Sequence, residues 1–224
     1  MKKINIAIDG PSGAGKSSLA KEVAKRMGIT YVDTGALYRS LGYFALKQNI
    51  KLENVVDIVK FLDNIKLDLV YKNGVQKVIL NSDDVSAFIR TPEISMYASA
   101  VSAIPEVRNF LLGTQRHIAS ERSVIMDGRD IATVVLPNAE VKIFLTADPK
   151  KRALRRYEEL KEKNPDIKFE DVYSDMTLRD KNDSTRKVAP AVKADDAILL
   201  DNTDLTPDET VCAVLKIISD KAGQ

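Results

Sequence analysis

Ile4-Asn5-Ile6-Ala7-Ile8 leads through Asp9 into Gly10-Pro11-Ser12-Gly13-Ala14-Gly15-Lys16-Ser17, and the reading of this stretch decides the fold. An apolar run followed at once by a glycine-rich octet ending in Lys-Ser predicts a strand, a phosphate-binding loop and a helix. Glycines at 10, 13 and 15 let the backbone curl its N–H groups around phosphate oxygens, Lys16 adds a point charge, and the Ser17 hydroxyl can reach a magnesium ion. The helix that starts there contributes its positive dipole end. Candidate nucleotide triphosphate contacts are therefore Gly10, Pro11, Ser12, Gly13, Ala14, Gly15, Lys16, Ser17 and Ser18. A glycine-rich turn with no ligand is the plain alternative, and the flanking strand and helix weigh against it.

Outward from this loop, Lys16–Met27 carries Leu19, Ala20, Val23, Ala24 and Met27 as a helical stripe, and Gly28 marks its end. Buried-strand runs recur at Ile29–Val32, Val124–Met126, Val141–Leu145 and Ala197–Leu200, separated by longer segments of helical period. That alternation predicts a parallel sheet with helices on both faces and ligands at the carboxyl ends of the strands. One region departs from it. Lys66–Tyr71 and Val75–Leu80 have β composition around Lys72-Asn73-Gly74, which predicts an inserted antiparallel hairpin with an Asn-Gly turn. Lys150–Lys163 and Phe169–Asp183 are charged, helix-like and separated by Asn164-Pro165-Asp166, forming a helical flap that leaves the fourth strand beside the phosphate site. Charged helix pairs are commonly just solvated surface, but this placement sets the flap's arginines to close over a nucleotide.

The whole chain limits the choice of function. Its 224 residues suit one domain, and a formal charge of +2 leaves no global field for collecting nucleic acid. One cysteine, Cys212, excludes an internal disulfide; its apolar surroundings Val211–Leu215 predict a small buried side chain. One histidine, His117, rules out histidine-cluster metal sites, and within Arg108–Ser120 it reads as an exposed helical residue. No signal-type or membrane-length apolar run follows Met1, so a cytoplasmic enzyme with no membrane partner is expected.

A phosphate loop alone does not separate a kinase from a GTPase switch, a motor or a nucleotide sensor. No Asn-Lys-x-Asp run for reading guanine is present, and the chain is short for a motor. Three further clusters favour transfer to a second phosphate-bearing substrate. Asp33-Thr34-Gly35-Ala36-Leu37-Tyr38-Arg39 sets a hydroxyl and an arginine at a helix start, where an anion can be held. Asp127-Gly128-Arg129-Asp130 follows the third strand as an acidic strand end, with Asp127 able to organise magnesium or its water shell. Arg179-Asp180-Lys181-Asn182-Asp183-Ser184-Thr185-Arg186 alternates charges at the end of the flap. Each taken alone could be a surface turn; their shared sheet edge shifts the balance.

With these residues in view, the chain resembles the bacterial cytidylate kinases, a branch of the P-loop nucleoside monophosphate kinases. The likeness rests on IAIDGPSGAGKSS, DTGALYRS, the hairpin insert, MDGRDIATVVLPNAEVKIFLTA and RDKNDSTRKVAPA, and covers nearly the whole length. It implies a P-loop NTPase three-layer α/β/α fold with a five-stranded parallel sheet, a small antiparallel β insert and a helical lid. The implied single domain, 1–224, has its core in 1–33, 121–149 and 187–224, a CMP-binding region with the insert in 34–120, and a lid in 150–186. The implied reaction moves the γ-phosphoryl group of ATP, with magnesium, to CMP and dCMP, in a monomer that binds no nucleic acid.

By the same resemblance, Thr34, Tyr38, Arg39, Arg129 and Arg186 surround the CMP phosphate or its vicinity. Ser99, Arg108, Asp130 and Asp183 would read base and ribose, with Arg179 in support. Ser17 and Asp127 are the implied magnesium contacts. Lys16, Arg129, Arg155 and Arg156 are the implied catalytic cations; which arginine of the basic helix, Arg152, Arg155 or Arg156, meets the transferring group is left open. The acceptor oxygen is already anionic, so no general base is named, and catalysis would come from alignment and charge stabilisation. Cytosine offers an amine donor with N3 and O2 acceptors, which a carboxylate and an arginine can meet, whereas uracil reverses part of that pattern. A kinase for UMP, shikimate or another small acceptor is the nearest rival. A nucleotide switch or RNA-binding module is the rival from another class, and no aromatic RNA motif or basic tail supports it.

Overall fold

The computed structural model describes residues 3–72, 75–162 and 164–223. It divides into two compact units, Met1–Tyr31 with Arg122–Gln224, and Val32–Glu121.

In the first unit, β1 (Asn5–Asp9) is central because its residues are apolar on both faces. It pairs in parallel with β6 (Val124–Gly128), Asp9 opposite Gly128, and with β7 (Val141–Thr146), Asp9 opposite Phe144. β8 (Ile198–Asp201) extends the sheet from β7, and β2 (Thr30–Asp33) forms the other edge, giving the order β2-β6-β1-β7-β8. All five were legible in the sequence as apolar runs, with starts displaced by a residue at most, and in the central β1 and β6 the run is continuous because both faces are buried. One face presents Ile4, Ile6, Ile8, Ile125, Ile143 and Leu145 to the apolar stripes of α1 (Lys16–Met27) and α7 (Pro207–Ala222). Gly28 ends α1 in the left-handed conformation, as its position predicts. A reciprocal box between Thr206 and Glu209 starts α7.

The charged flap consists of α5 (Pro149–Lys161) and α6 (Phe169–Thr185), which leave β7 at its carboxyl end. It is more than solvated surface: Ala153, Val172 and Met176 are buried in a small core of its own with Tyr157, Phe169 and Tyr173. The Asp148 carboxylate caps α5 by accepting from the Lys150 and Lys151 N–H groups.

In the second unit, α2 (Thr34–Lys47) packs on α3 (Pro92–Val101) over Leu37, Leu41, Ile89 and Val101. A run of 3-10 turns, Leu52–Asn64, and α4 (Pro105–Glu121) complete that core through Ile58, Val107 and Leu111. The expected hairpin is present as β3 (Leu67–Lys72) and β4 (Val75–Leu80), antiparallel with Leu67 opposite Leu80 and Tyr71 opposite Gln76. Its expected Asn73-Gly74 turn lies outside the described residues. A two-residue β5 (Asp83–Asp84), which the sequence did not suggest, adds a third strand.

Two single-residue expectations divide. His117 is exposed on α4, as expected. Cys212, expected to be buried, is exposed: the apolar stretch around it is helix, so the 3.6-residue period turns Val211 and Val214 inward and Cys212 out.

Candidate active site

The phosphate loop leaves the carboxyl end of β1 in the middle of the sheet. Gly10 is required at its root, because φ is +147° and a Cβ there would lie 2.0 Å from the Leu145 carbonyl oxygen. Lys16 is buried and turns its Nζ back onto the Pro11 carbonyl at 2.6 Å. Its pKa is held well below the usual lysine range, first by burial and then by the positive charges of Arg129 and Arg179; Asp127 and Asp9 act in the opposite direction. A lysine depressed by neighbouring arginines marks a place where several cations converge and an anion would relieve them. Asn202 steadies the far side of the loop, its Nδ2 donating to the Ala14 carbonyl at 3.1 Å.

At the end of β6, Asp127 is buried and accepts two hydroxyl hydrogen bonds, from Ser17 at 2.7 Å and from Tyr31 at 2.9 Å. A hydroxyl oxygen beside an oriented carboxylate is a hard-oxygen pair that suits magnesium. That ion is held in such sites by one or two carboxylates and substrate phosphates rather than by an all-protein cage. Among the described residues there is no group of three or more His, Cys, Asp or Glu able to bind a metal.

Beyond Asp127 the chain turns sharply. Asp9 is buried under the turn and its two carboxylate oxygens accept from the Ile131 and Ala132 N–H groups, each at 2.8 Å. Burial pushes the Asp9 carboxyl up to about 6 despite these hydrogen bonds. The turn carries Arg129 and Asp130 toward the end of α6. Arg129 Nε donates to Asp183 at 3.0 Å, Arg179 Nε lies 3.9 Å from the same carboxylate, and Arg186 Nη2 lies 3.6 Å from Asp130. Five of the residues read from the sequence as acceptor contacts are thus one alternating charge cluster.

The remaining acceptor candidates stand in the second unit. Asp33 caps α2 by accepting from Ala36 N–H at 2.9 Å, and the same carboxylate receives Arg39 at 2.7 Å and Arg90 at 2.8 Å. Burial raises the Asp33 pKa, but the two guanidinium groups and the capping N–H outweigh it and hold the group below the usual carboxylate range. Thr34 and Tyr38 are buried on the first turns of α2, with the Arg108 guanidinium 5.6 Å from the Tyr38 ring centre. Arg108 also donates to the Ser102 carbonyl at 3.1 Å, and the Ser102 hydroxyl donates to the Ser99 carbonyl at 2.7 Å, linking Ser99 with Arg108.

The arginines of α5 differ in their partners. Arg155 Nη2 donates to the Asn202 carbonyl at 3.0 Å, which ties α5 to the residue that steadies the loop. Arg156 pairs with Glu159 on the same helix at 2.8 Å. Arg152 is buried and donates to the Ala147 and Ser12 carbonyls at 3.0 and 2.7 Å.

A family model described as cytidylate kinase matches residues 6–220. The chain belongs to the cytidylate kinase family. Its relatives include a cytidylate kinase of Caldicellulosiruptor saccharolyticus, 49% identical over 97% of this chain and 96% of that protein. Another, from Ligilactobacillus salivarius, is 48% identical over 99% of both chains. Among solved structures, an uncharacterized protein from Eubacterium ventriosum superposes with a TM-score of 0.52 at 16% identity, covering 98% of this chain and 99% of that one, which supports the fold alone.

Sequence reasoning missed Asp9, Tyr31, Arg90 and Asn202 as parts of the site, and gave Asp180 no role of its own within the Arg179–Arg186 string. Asp9 carried a signal, an acidic residue at the end of an otherwise apolar central strand. Arg90 and Asn202 carried none, because they reach their partners through loops whose path only the fold sets.

Proposed function

We propose that this chain transfers the γ-phosphoryl group of ATP to CMP and dCMP, giving ADP with CDP or dCDP. The observation that carries this reading is that the loop bearing Lys16 leaves β1 beside the end of β6, where Arg129 and Arg179 meet at the Asp183 carboxylate, in a member of the cytidylate kinase family. Cations at these neighbouring strand ends suit a transferring group whose charge is spread over its oxygens. The loop N–H groups and Ser18 would hold the ATP phosphates, with Lys16 leaving the Pro11 carbonyl to reach them. Ser17 and Asp127 would hold magnesium, which when bound neutralises phosphate charge. Tyr31 keeps Asp127 oriented for that task. Arg155 and Arg156 are proposed to act on the transferring group or on lid closure.

Arg39, Thr34, Tyr38, Arg129 and Arg186 are the proposed grips on the acceptor phosphate; Ser99, Arg108, Asp130, Asp183 and Arg179 are the proposed base and ribose contacts. The acceptor oxygen arrives ionised, so the carboxylates of the cluster serve to orient arginines rather than to remove a proton. No helix of the described residues is long and apolar enough to cross a membrane. A cytoplasmic monomer that binds no nucleic acid is the proposed working form.

The test is ADP release from ATP and magnesium with CMP, dCMP, UMP, AMP and GMP in parallel. CMP and dCMP should stimulate strongly and UMP far less. Stimulation by none of the five would overturn the kinase reading in favour of a nucleotide switch.

A further inference from the structure

The motif Arg179–Arg186 contains one carboxylate, Asp180, that the acceptor cluster leaves aside. Arg179, Asp183 and Arg186 follow the i, i+4, i+7 spacing of one helical stripe and meet Arg129 and Asp130. Asp180 lies on a neighbouring stripe with Met176, four residues earlier, and this stripe faces the phosphate loop. The Asp180 Oδ1 accepts from the Ser12 N–H at 2.9 Å. The Ser12 carbonyl in turn accepts from Arg152 Nη1 at 2.7 Å, and Arg152 pairs with the other Asp180 oxygen. Ser12, Asp180 and Arg152 therefore form a closed ring in which both backbone polar groups of a loop residue are held by the lid helices. One residue further, a Cβ on Gly13 would lie 2.6 Å from the Met176 methyl and 2.9 Å from the Arg152 carbonyl oxygen, so α6 and α5 are closed against the loop with no room for a side chain.

Such a ring has a chemical oddity. A carboxylate beside a loop built to receive phosphates repels them, and the Arg152 guanidinium offsets that charge only while the ring is intact. Nothing in phosphate binding requires an acid there. The ring gains a use if α6 links its two stripes, one touching the donor loop and the other made of acceptor contacts.

We propose that Asp180 is a positioning residue that, with Arg152, locks the shape of the phosphate loop to the seat of α6, so that ATP and CMP bind interdependently. This rests on the phosphoryl-transfer reading above. An acceptor whose phosphate is held by Arg186 and whose ribose is held by Asp183 and Arg179 fixes α6, the ring passes that order to Ser12 and Gly13, and ATP then meets a loop already shaped for it. By linkage the effect is reciprocal, with ATP tightening CMP by the same factor.

The experiment is calorimetric titration of a non-hydrolysable ATP analogue, with magnesium, in the absence and presence of saturating CMP. For the unaltered protein CMP should tighten the analogue about fivefold or more. Asp180→Ala should bring that ratio to about one while binding of CMP alone changes little, because its direct contacts remain. Asp180→Asn keeps an oxygen for the Ser12 N–H but loses the ion pair, and should retain part of the coupling; it and Arg152→Lys carry the test if the alanine variant does not fold. Amide hydrogen exchange of the phosphate loop should slow on adding CMP alone, and cease to do so in Asp180→Ala. A coupling ratio of one in the unaltered protein, or an undiminished ratio in Asp180→Ala, would overturn the proposal. If CMP fails to bind the unaltered protein at all, the acceptor assignment itself falls, and that result is distinct from CMP binding without coupling.

Discussion

At the scale of single residues, Lys16 stands bonded to its own loop and depressed in basicity by burial and by two arginines. In the proposed reaction it would exchange the Pro11 carbonyl for a phosphate oxygen and stabilise the charge that develops on the transferring group. Lys16→Met should leave the thermal midpoint nearly unchanged while lowering kcat by roughly 10²–10³-fold, a magnitude typical of losing one preorganised electrostatic contact. Near-normal turnover would remove Lys16 from the chemistry. Asp130, paired with Arg186, is the residue on which cytosine selection is expected to turn. Asp130→Ala should narrow the ratio of kcat/KM for CMP over UMP as well as reduce CMP turnover, and lower CMP turnover with an unchanged ratio would take Asp130 out of base reading. These residues were visible in the sequence because each sits in a short string beside a strand end. Asp180 was visible too, but only as one of five charges in an eight-residue string; that it grips Ser12 depends on helix phase, which a string does not display.

At the scale of elements, α2 shows how a helix start can do two jobs. Asp33 is both the cap of α2 and the common partner of Arg39 and Arg90. Asp33→Asn should destabilise the protein by about 3 kcal/mol near neutral pH, since it strands guanidinium groups beside a buried amide. The pH dependence has a definite sign. A carboxyl whose folded pKa is depressed contributes stability above its unfolded pKa and loses it as pH falls through the folded value. The gap between the unaltered and variant proteins in urea midpoint should therefore shrink on acidification below pH 4, and a constant gap would contradict the ion-pair account. On α5, Arg155 is bound to Asn202 and Arg156 to Glu159. Replacing both by alanine should lower kcat more than it weakens CMP; a change in CMP binding alone would mark α5 as a static surface. The strand and helix pattern of the core was legible because buried parallel strands and amphipathic helices have distinct periods. The 3-10 turns of Leu52–Asn64 and the short β5 were not, because neither period extends through them.

At the scale of the whole molecule, Asp9 sets an opposite pH trend to Asp33. Its carboxyl is pushed from 3.8 to about 6 by burial, so the folded state holds its proton more tightly than the unfolded chain. The sign follows: this group's stabilising contribution is complete below the unfolded pKa and falls as pH rises toward 6, by roughly 3 kcal/mol at most. Measured against Asp9→Asn by urea unfolding from pH 4 to 7, the unaltered protein should lose ground up to about pH 6 and then hold level, and a difference that stays flat or reverses would show that Asp9 is not titrating as a buried acid. Neither trend can be read from net charge, which is only +2. Cys212 offers something practical. As the chain's one thiol, facing outward from α7, it gives a single coupling point for a maleimide dye or spin label on native protein. A reporter there sits on α7, so fluorescence anisotropy or spin-label mobility could follow substrate binding without introducing or deleting any cysteine.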